Sequence, residues 1–172
     1  MKLKKPPLLG FCAYSGTGKT TLLSILIPIL RKKGLRVGII KHAHHHFDID
    51  HPGKDSYELR KSGADEILIS SSKRWALVHE SNDNQLEPSL EKLLKKLSLK
   101  ELDLILVEGF KHEPLPKIEL NRPSLGHPFL YPNDSSIIAI AMDKRPARKI
   151  QLPVLDLNNG VQIVKFIEKN IL

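Results

Sequence analysis

The stretch Ala13-Tyr14-Ser15-Gly16-Thr17-Gly18-Lys19-Thr20 follows an apolar run, Leu8-Leu9-Gly10-Phe11-Cys12, and opens onto Thr21-Leu22-Leu23-Ser24-Ile25-Leu26. This is the spacing of a phosphate-binding loop (P-loop) between a buried strand and a helix. Gly16 and Gly18 let the backbone curl so that successive N–H groups face phosphate oxygens. Lys19 is expected to reach the β- and γ-phosphates, the Thr20 hydroxyl to ligate Mg2+, and Thr21 to meet the α-phosphate, with the helix N-terminus adding its positive end. The nucleotide-binding set read from the loop is therefore Ser15, Gly16, Thr17, Gly18, Lys19, Thr20 and Thr21. The usual pattern begins with glycine. Ala13 stands in that place, and the loop is retained if φ there is negative.

The rest of the chain suits this reading. Its 172 residues are expected to form one P-loop nucleotide-binding domain, residues 1–172, burying roughly two thirds of its unfolded surface. A hydrophobic content of 41% argues for a globular chain. The single cysteine, Cys12, excludes an intrachain disulfide and fits a reducing compartment. Residues Met1-Lys2-Leu3-Lys4-Lys5-Pro6-Pro7 lack the apolar stretch of a signal peptide, and no apolar run is long enough to span a bilayer, so a cytoplasmic protein with no membrane partner is expected. The net charge of +8 invites a nucleic-acid reading. However, only five Phe, three Tyr and one Trp are present, and none forms a basic-aromatic motif of the kind that stacks bases. Phosphorylated ligands or acidic partners explain the charge at least as well.

Strands alternate with helices along the chain, predicting an α/β fold: a P-loop NTPase-like, mostly parallel sheet flanked by helices. Strands are expected over Leu8 to Ala13, Arg36 to Lys41, Leu104 to Val107, Lys117 to Leu120, Ile137 to Met142 and Val154 to Leu157. The runs Glu66 to Ser70 and Trp75 to His79, separated only by Ser71-Ser72-Lys73-Arg74, predict an antiparallel hairpin. Helices are expected from Lys19 to before Gly34, over Ser56 to Lys61 with Asp55 as cap, over Glu87 to Leu97, and over Val161 to Ile171. Leu86, Leu90, Leu93, Leu94 and Leu97 recur at helical spacing and read as core packing.

Asp103-Leu104-Ile105-Leu106-Val107-Glu108-Gly109 has the form of a Walker B strand, with Glu108 in place of the commoner Asp. An acid there can hold Mg2+ through a water or orient an attacking water, making Glu108 both the catalytic and a metal-side candidate. Gly109 leaves its N–H able to approach a γ-phosphate. The segment from Lys41 to Ser56 holds five histidines and three aspartates. It can be read as a solvated loop, as a transition-metal site or as a nucleotide-responsive switch. The switch reading suits a P-loop best, with Lys41 touching phosphate and Asp48, Asp50 or Asp55 sensing Mg2+. The Asn/Thr-Lys-x-Asp motif that reads guanine is absent. Asp143, in Met142-Asp143-Lys144, is a candidate for guanine N1–H and N2–H2, and equally a turn residue.

Taken in order, Ser15-Gly16-Thr17-Gly18-Lys19-Thr20-Thr21-Leu22, Lys41-His42, Pro52-Gly53-Lys54-Asp55-Ser56-Tyr57-Glu58-Leu59-Arg60, Arg74-Trp75-Ala76-Leu77 and Leu104-Ile105-Leu106-Val107-Glu108-Gly109-Phe110-Lys111 closely resemble the MobB family of molybdopterin-guanine dinucleotide biosynthesis adapter proteins. The P-loop alone is generic, but Gly53-Lys54-Asp55-Ser56 with Val107-Glu108-Gly109-Phe110-Lys111 is specific. The resemblance implies a GTP-binding homodimer with weak GTPase activity. Such a protein assists a MobA-type guanylyltransferase that joins GMP to molybdopterin, itself a candidate ligand. The alternative is a small-molecule kinase. That would need a base and arginines clamping an acceptor, for which Arg60 and Arg74 are the candidates.

Overall fold

Along the first apolar run, Leu9 and Phe11 pack into one cluster and Leu8 into another, the two-residue period of a strand covered on both faces. The computed structural model describes residues 5–43, 47–80, 89–145 and 149–172. The chain divides into two compact units, Met1–His42 with Ser89–Leu172, and Ala43–Pro88. In chain order the elements are β1 (Leu8–Cys12), α1 (Lys19–Lys32), β2 (Val37–Lys41), α2 (Asp55–Lys61), β3 (Glu66–Ser70), β4 (Trp75–His79), α3 (Leu90–Leu94), β5 (Leu104–Glu108), β6 (Lys117–Asn121), β7 (Ile137–Met142), β8 (Val154–Asp156) and α4 (Gly160–Asn170).

The larger unit is built on a six-stranded sheet in the order β2-β5-β1-β6-β7-β8, with every described pairing parallel. Parallel strands need crossovers, and helices laid on the faces bury the sheet from both sides. Leu104 and Leu106 of β5 join the cluster that includes Leu22, Leu26 and Leu30 of α1 and Ile163 and Ile167 of α4. The intervening Ile105 and Val107 join Leu90, Leu93, Leu94 and Leu97 in the second cluster. The leucine stripe is thus core packing, as its spacing predicts; Leu86 lies outside the described residues. Because β1 is central, its carboxyl end opens at the crevice where α/β sheets receive ligands.

The helix expected over Glu87 to Leu97 is shorter than its periodicity suggests. Only Leu90–Leu94 is α-helical; Lys96 N–H then donates to Leu93 O at 3.0 Å and Leu97 N–H to Leu94 O at 3.2 Å. These i to i+3 bonds tighten the last turn and end the helix, while residues 87 and 88 lie outside the described set.

The smaller unit contains α2 and the β3-β4 hairpin, antiparallel with Ile67 opposite Val78 and Leu68 opposite Leu77. Its turn is closed by Ser71 N–H donating to Arg74 O at 2.8 Å. Asp55 does not cap α2. Lys54 occupies the cap position, and Asp55 is the first helical residue, where its negative charge meets the positive end of the helix.

Candidate nucleotide site

The P-loop leaves the carboxyl end of β1 and turns into α1 through two left-handed glycines, Gly16 (φ 76°) and Gly18 (φ 101°). Gly18 is the N-cap of α1 and supplies no side-chain oxygen, so the helix starts without a cap acceptor for its first N–H groups. That is the arrangement an anion completes. No non-glycine residue among those described has positive φ, so Ala13 meets the condition set for replacing the usual glycine. The loop is braced from within. Thr17, buried, donates from Oγ1 to the Tyr14 carbonyl at 2.8 Å, leaving its backbone as its means of meeting a ligand. Lys19 Nζ donates to Ala13 O at 3.2 Å and Tyr14 O at 3.4 Å. Partial burial lowers the Lys19 pKa, opposed by the nearby Glu108 charge. Ser15, Thr20 and Thr21 are exposed at the loop and first helical turn.

Glu108 ends β5, the strand beside β1, with Phe11 as its register partner. On its other side it is level with Lys41, the last residue of β2, and Lys41 Nζ lies 3.9 Å from Glu108 Oε2. Gly109 follows at φ 98°, pressed against His42: a Cβ built there would lie 2.8 Å from His42 Cβ and 3.0 Å from His42 O. This close approach goes with the bond from His42 N–H to Glu108 O at 2.9 Å, and only glycine fits. The P-loop, Glu108, Lys41 and Gly109 thus share one edge of the sheet. Their donor set, loop N–H groups with an ammonium, a hydroxyl and a carboxylate, suits a polyphosphate with a hard divalent cation.

On the opposite flank of β1, Asp143 follows β7. Its Oδ2 accepts from Arg122 Nη1 at 2.7 Å, while its Oδ1 is buried without a hydrogen-bond partner. Asp143 is therefore more than a solvated turn residue.

Residues 8–143 match the family described as MobB, molybdopterin guanine dinucleotide synthesis protein B. The chain is also 48% identical over 162 residues to the molybdopterin-guanine dinucleotide biosynthesis adapter protein of Escherichia coli (strain K12), covering 94% of this chain and 91% of that one. This chain belongs to the MobB family. A second MobB-family relative, the adapter protein of Haemophilus influenzae, is 41% identical over 94% of this chain and 88% of its own. The crystal structure of Bacillus subtilis MobB superposes with a TM-score of 0.74 at 24% identity, over 96% of this chain and 98% of that one, a likeness of fold.

In this MobB-family chain, Asp48, Asp50, Asp55, Arg60 and Arg74 belong to the smaller unit, and the P-loop residues, Lys41, Glu108, Gly109 and Asp143 to the larger one. Of the aspartates considered as Mg2+ sensors, Asp48 accepts from Arg60 Nη2 at 2.5 and 2.6 Å, and Asp50 accepts from Ser56. Arg60 also donates to Glu80 at 2.6 Å, so the arginine proposed as an acceptor clamp for a kinase is engaged by two carboxylates. His44 to His46, the centre of the histidine-rich segment, lie outside the described residues, and no group of three metal-ligating side chains occurs among those described. No described helix is long and apolar enough to cross a membrane.

Sequence reasoning missed three charged residues around the site. Arg122 bridges the P-loop to Asp143. Lys117, buried in β6, donates to Lys111 O at 2.8 Å, Asp134 at 2.9 Å and Ser136 at 2.8 Å, anchoring the loop that follows Glu108 and Gly109. Glu119, also buried, accepts from the N–H groups of Leu130 and Tyr131 at 2.9 Å each, and burial pushes its pKa up. Their signal was a strand, Lys117-Ile118-Glu119-Leu120-Asn121, alternating polar and apolar although covered on both faces.

Proposed function

We propose that this protein binds GTP and Mg2+ at the P-loop and acts as an accessory protein of a MobA-type guanylyltransferase, assisting attachment of GMP to molybdopterin. The observation that carries this reading is the pairing of an uncapped, glycine-turned loop–helix junction with Glu108 at the end of the adjacent strand. The adapter names of its relatives supply the pathway. Backbone N–H groups of Ser15 to Thr20 hold the phosphates, Lys19 exchanges the Ala13 and Tyr14 carbonyls for phosphate oxygens, and Thr21 meets the α-phosphate. Lys41 and the Gly109 N–H approach the γ-phosphate. A bound Mg2+ would offset phosphate charge, with the Thr20 hydroxyl and Glu108 as the residues to hold it. Glu108 also orients the water of a slow hydrolysis. Asp143 serves the base side.

The chain acts as one functional domain in the cytoplasm and pairs as a homodimer. The β3-β4 hairpin supports the pairing, because Leu68, Trp75 and Leu77 are exposed on a sheet of only two strands. A basic surface suits molybdopterin's phosphate or an acidic partner face. Isothermal titration with GTP, ATP and their diphosphates in Mg2+ tests the ligand assignment. Saturable one-to-one binding that favours GTP is expected; ATP binding with no response to GTP would contradict it.

A further inference from the structure

Arg122 divides its guanidinium between two elements far apart in sequence. Its Nε donates to the Thr17 carbonyl of the P-loop at 2.9 Å and its Nη1 to Asp143 Oδ2 at 2.7 Å. A guanidinium facing a carboxylate commonly engages both oxygens as a fork. Here the fork is split between loop and acid, leaving Asp143 Oδ1 buried and unpartnered among the described residues. Buried acceptors are normally satisfied, and one at the mouth of a ligand site is explained by a donor that arrives with the ligand. The Asp143 side chain is 19% exposed although Oδ1 itself is enclosed, so a ligand's donor meets Oδ1 as the carboxylate turns toward it on binding. Thr17, Arg122 and Asp143 follow β1, β6 and β7, which are consecutive in the sheet. Asp143 therefore lies roughly 10 Å along the sheet edge from the phosphate loop at about 4.8 Å per strand, a span that ribose and a purine can fill.

We propose that Arg122 is a positioning residue that ties the phosphate loop to a base-reading carboxylate, presenting Asp143 Oδ1 to the N–H groups on the Watson–Crick edge of guanine. The inference rests on the GTP reading above. Guanine offers adjacent N1–H and 2-amino donors to a carboxylate, whereas adenine offers an acceptor at N1 and no amino group at C2. Through Nε the same side chain fixes the loop whose N–H groups meet the phosphates, so base and phosphate recognition share one strut.

Calorimetric titration of the full chain with Mg2+ and either GTP or ITP, which lacks the 2-amino group, tests this. Wild type is expected to prefer GTP by about tenfold or more, the effect of losing a hydrogen bond to a charged partner. Asp143→Ala brings the ratio near one. Arg122→Ala and Arg122→Lys both remove most of the preference, since a single ammonium nitrogen lacks the spaced Nε and Nη1 donors with which the guanidinium reaches loop and acid together. Arg122→Ala combined with Asp143→Ala loses no more preference than Asp143→Ala alone. Thermal melting of each variant verifies folding. If folded Arg122 variants weaken GTP and ITP alike and keep the wild-type ratio, Arg122 only braces the loop and the proposal fails. A wild type that binds GTP and ITP equally overturns base reading by Asp143 and leaves GTP binding intact. A wild type that binds neither overturns the GTP reading and this inference together.

Discussion

The ammonium group of Lys19 donates to the carbonyl of Ala13, six residues before it, at 3.2 Å. The residue suited to gripping phosphate thus also braces its own loop, with the Tyr14 carbonyl as second acceptor. A polyphosphate offers the same ammonium stronger, charged acceptors. Lys19→Ala is expected to weaken GTP binding on the order of 100-fold while the protein still melts cooperatively. Fluorescence titration with a labelled GTP analogue reads this, and unchanged affinity in a folded variant would remove Lys19 from the site.

Glu108 is buried at the end of β5, within 3.9 Å of Lys41. Glu108→Gln preserves shape and removes the charge. Single-turnover hydrolysis of GTP at saturating Mg2+ is expected to slow on the order of 100-fold, with a smaller change in nucleotide affinity. Equal rates in the two proteins would leave Glu108 as a structural acid.

Gly109→Ala tests the close packing of β2 against β5. The new methyl would enter at φ 98° with His42 Cβ at 2.8 Å, so both the backbone and the neighbour resist it. A loss of about 1–3 kcal/mol in urea unfolding is expected. A neutral substitution would mean that the two strand ends separate easily.

Asp103 opens the sheet edge opposite the site. It accepts from the Arg36 side chain at 3.0 and 3.1 Å and from the Arg36 backbone N–H at 2.8 Å, and these bonds lower its pKa to about 2. Because the folded-state pKa is depressed, the contribution of Asp103 to stability is present above about pH 4 and lost as pH falls toward 2. Asp103→Asn is expected to destabilise the protein at pH 6 and to melt like wild type near pH 2. In NMR the Asp103 carboxyl carbon should titrate near pH 2; a midpoint near 4 would show that the pair is broken in solution.

Much of this architecture was legible locally. Glu66–Ser70, Trp75–His79 and Ile137–Met142 have the bounds expected of them, because polar or turn residues bound each apolar run. The P-loop was legible because glycine, lysine and hydroxyl positions must be consecutive to encircle a phosphate. Arg122 was not, since its partners Thr17 and Asp143 lie 105 and 21 residues away and no local pattern encodes that meeting. Lys117 and Glu119 alternate with apolar residues in the pattern of a strand with one solvent face. They are buried because parallel strands are covered on both faces, and their charges hold loops instead of meeting water.

Service to a guanylyltransferase through a nucleotide held at the P-loop is the proposed role of this chain. Its most direct test is a reconstituted reaction containing a MobA-type guanylyltransferase, molybdopterin, GTP and Mg2+, with product guanine dinucleotide cofactor measured at increasing amounts of this protein. Yield is expected to rise with wild type, to stay at the basal level with folded Lys19→Ala, and to be absent when this protein replaces the transferase. Unchanged yield with wild type, together with transfer of phosphate from nucleotide to a small acceptor by this protein alone, would contradict the adapter account and favour a kinase.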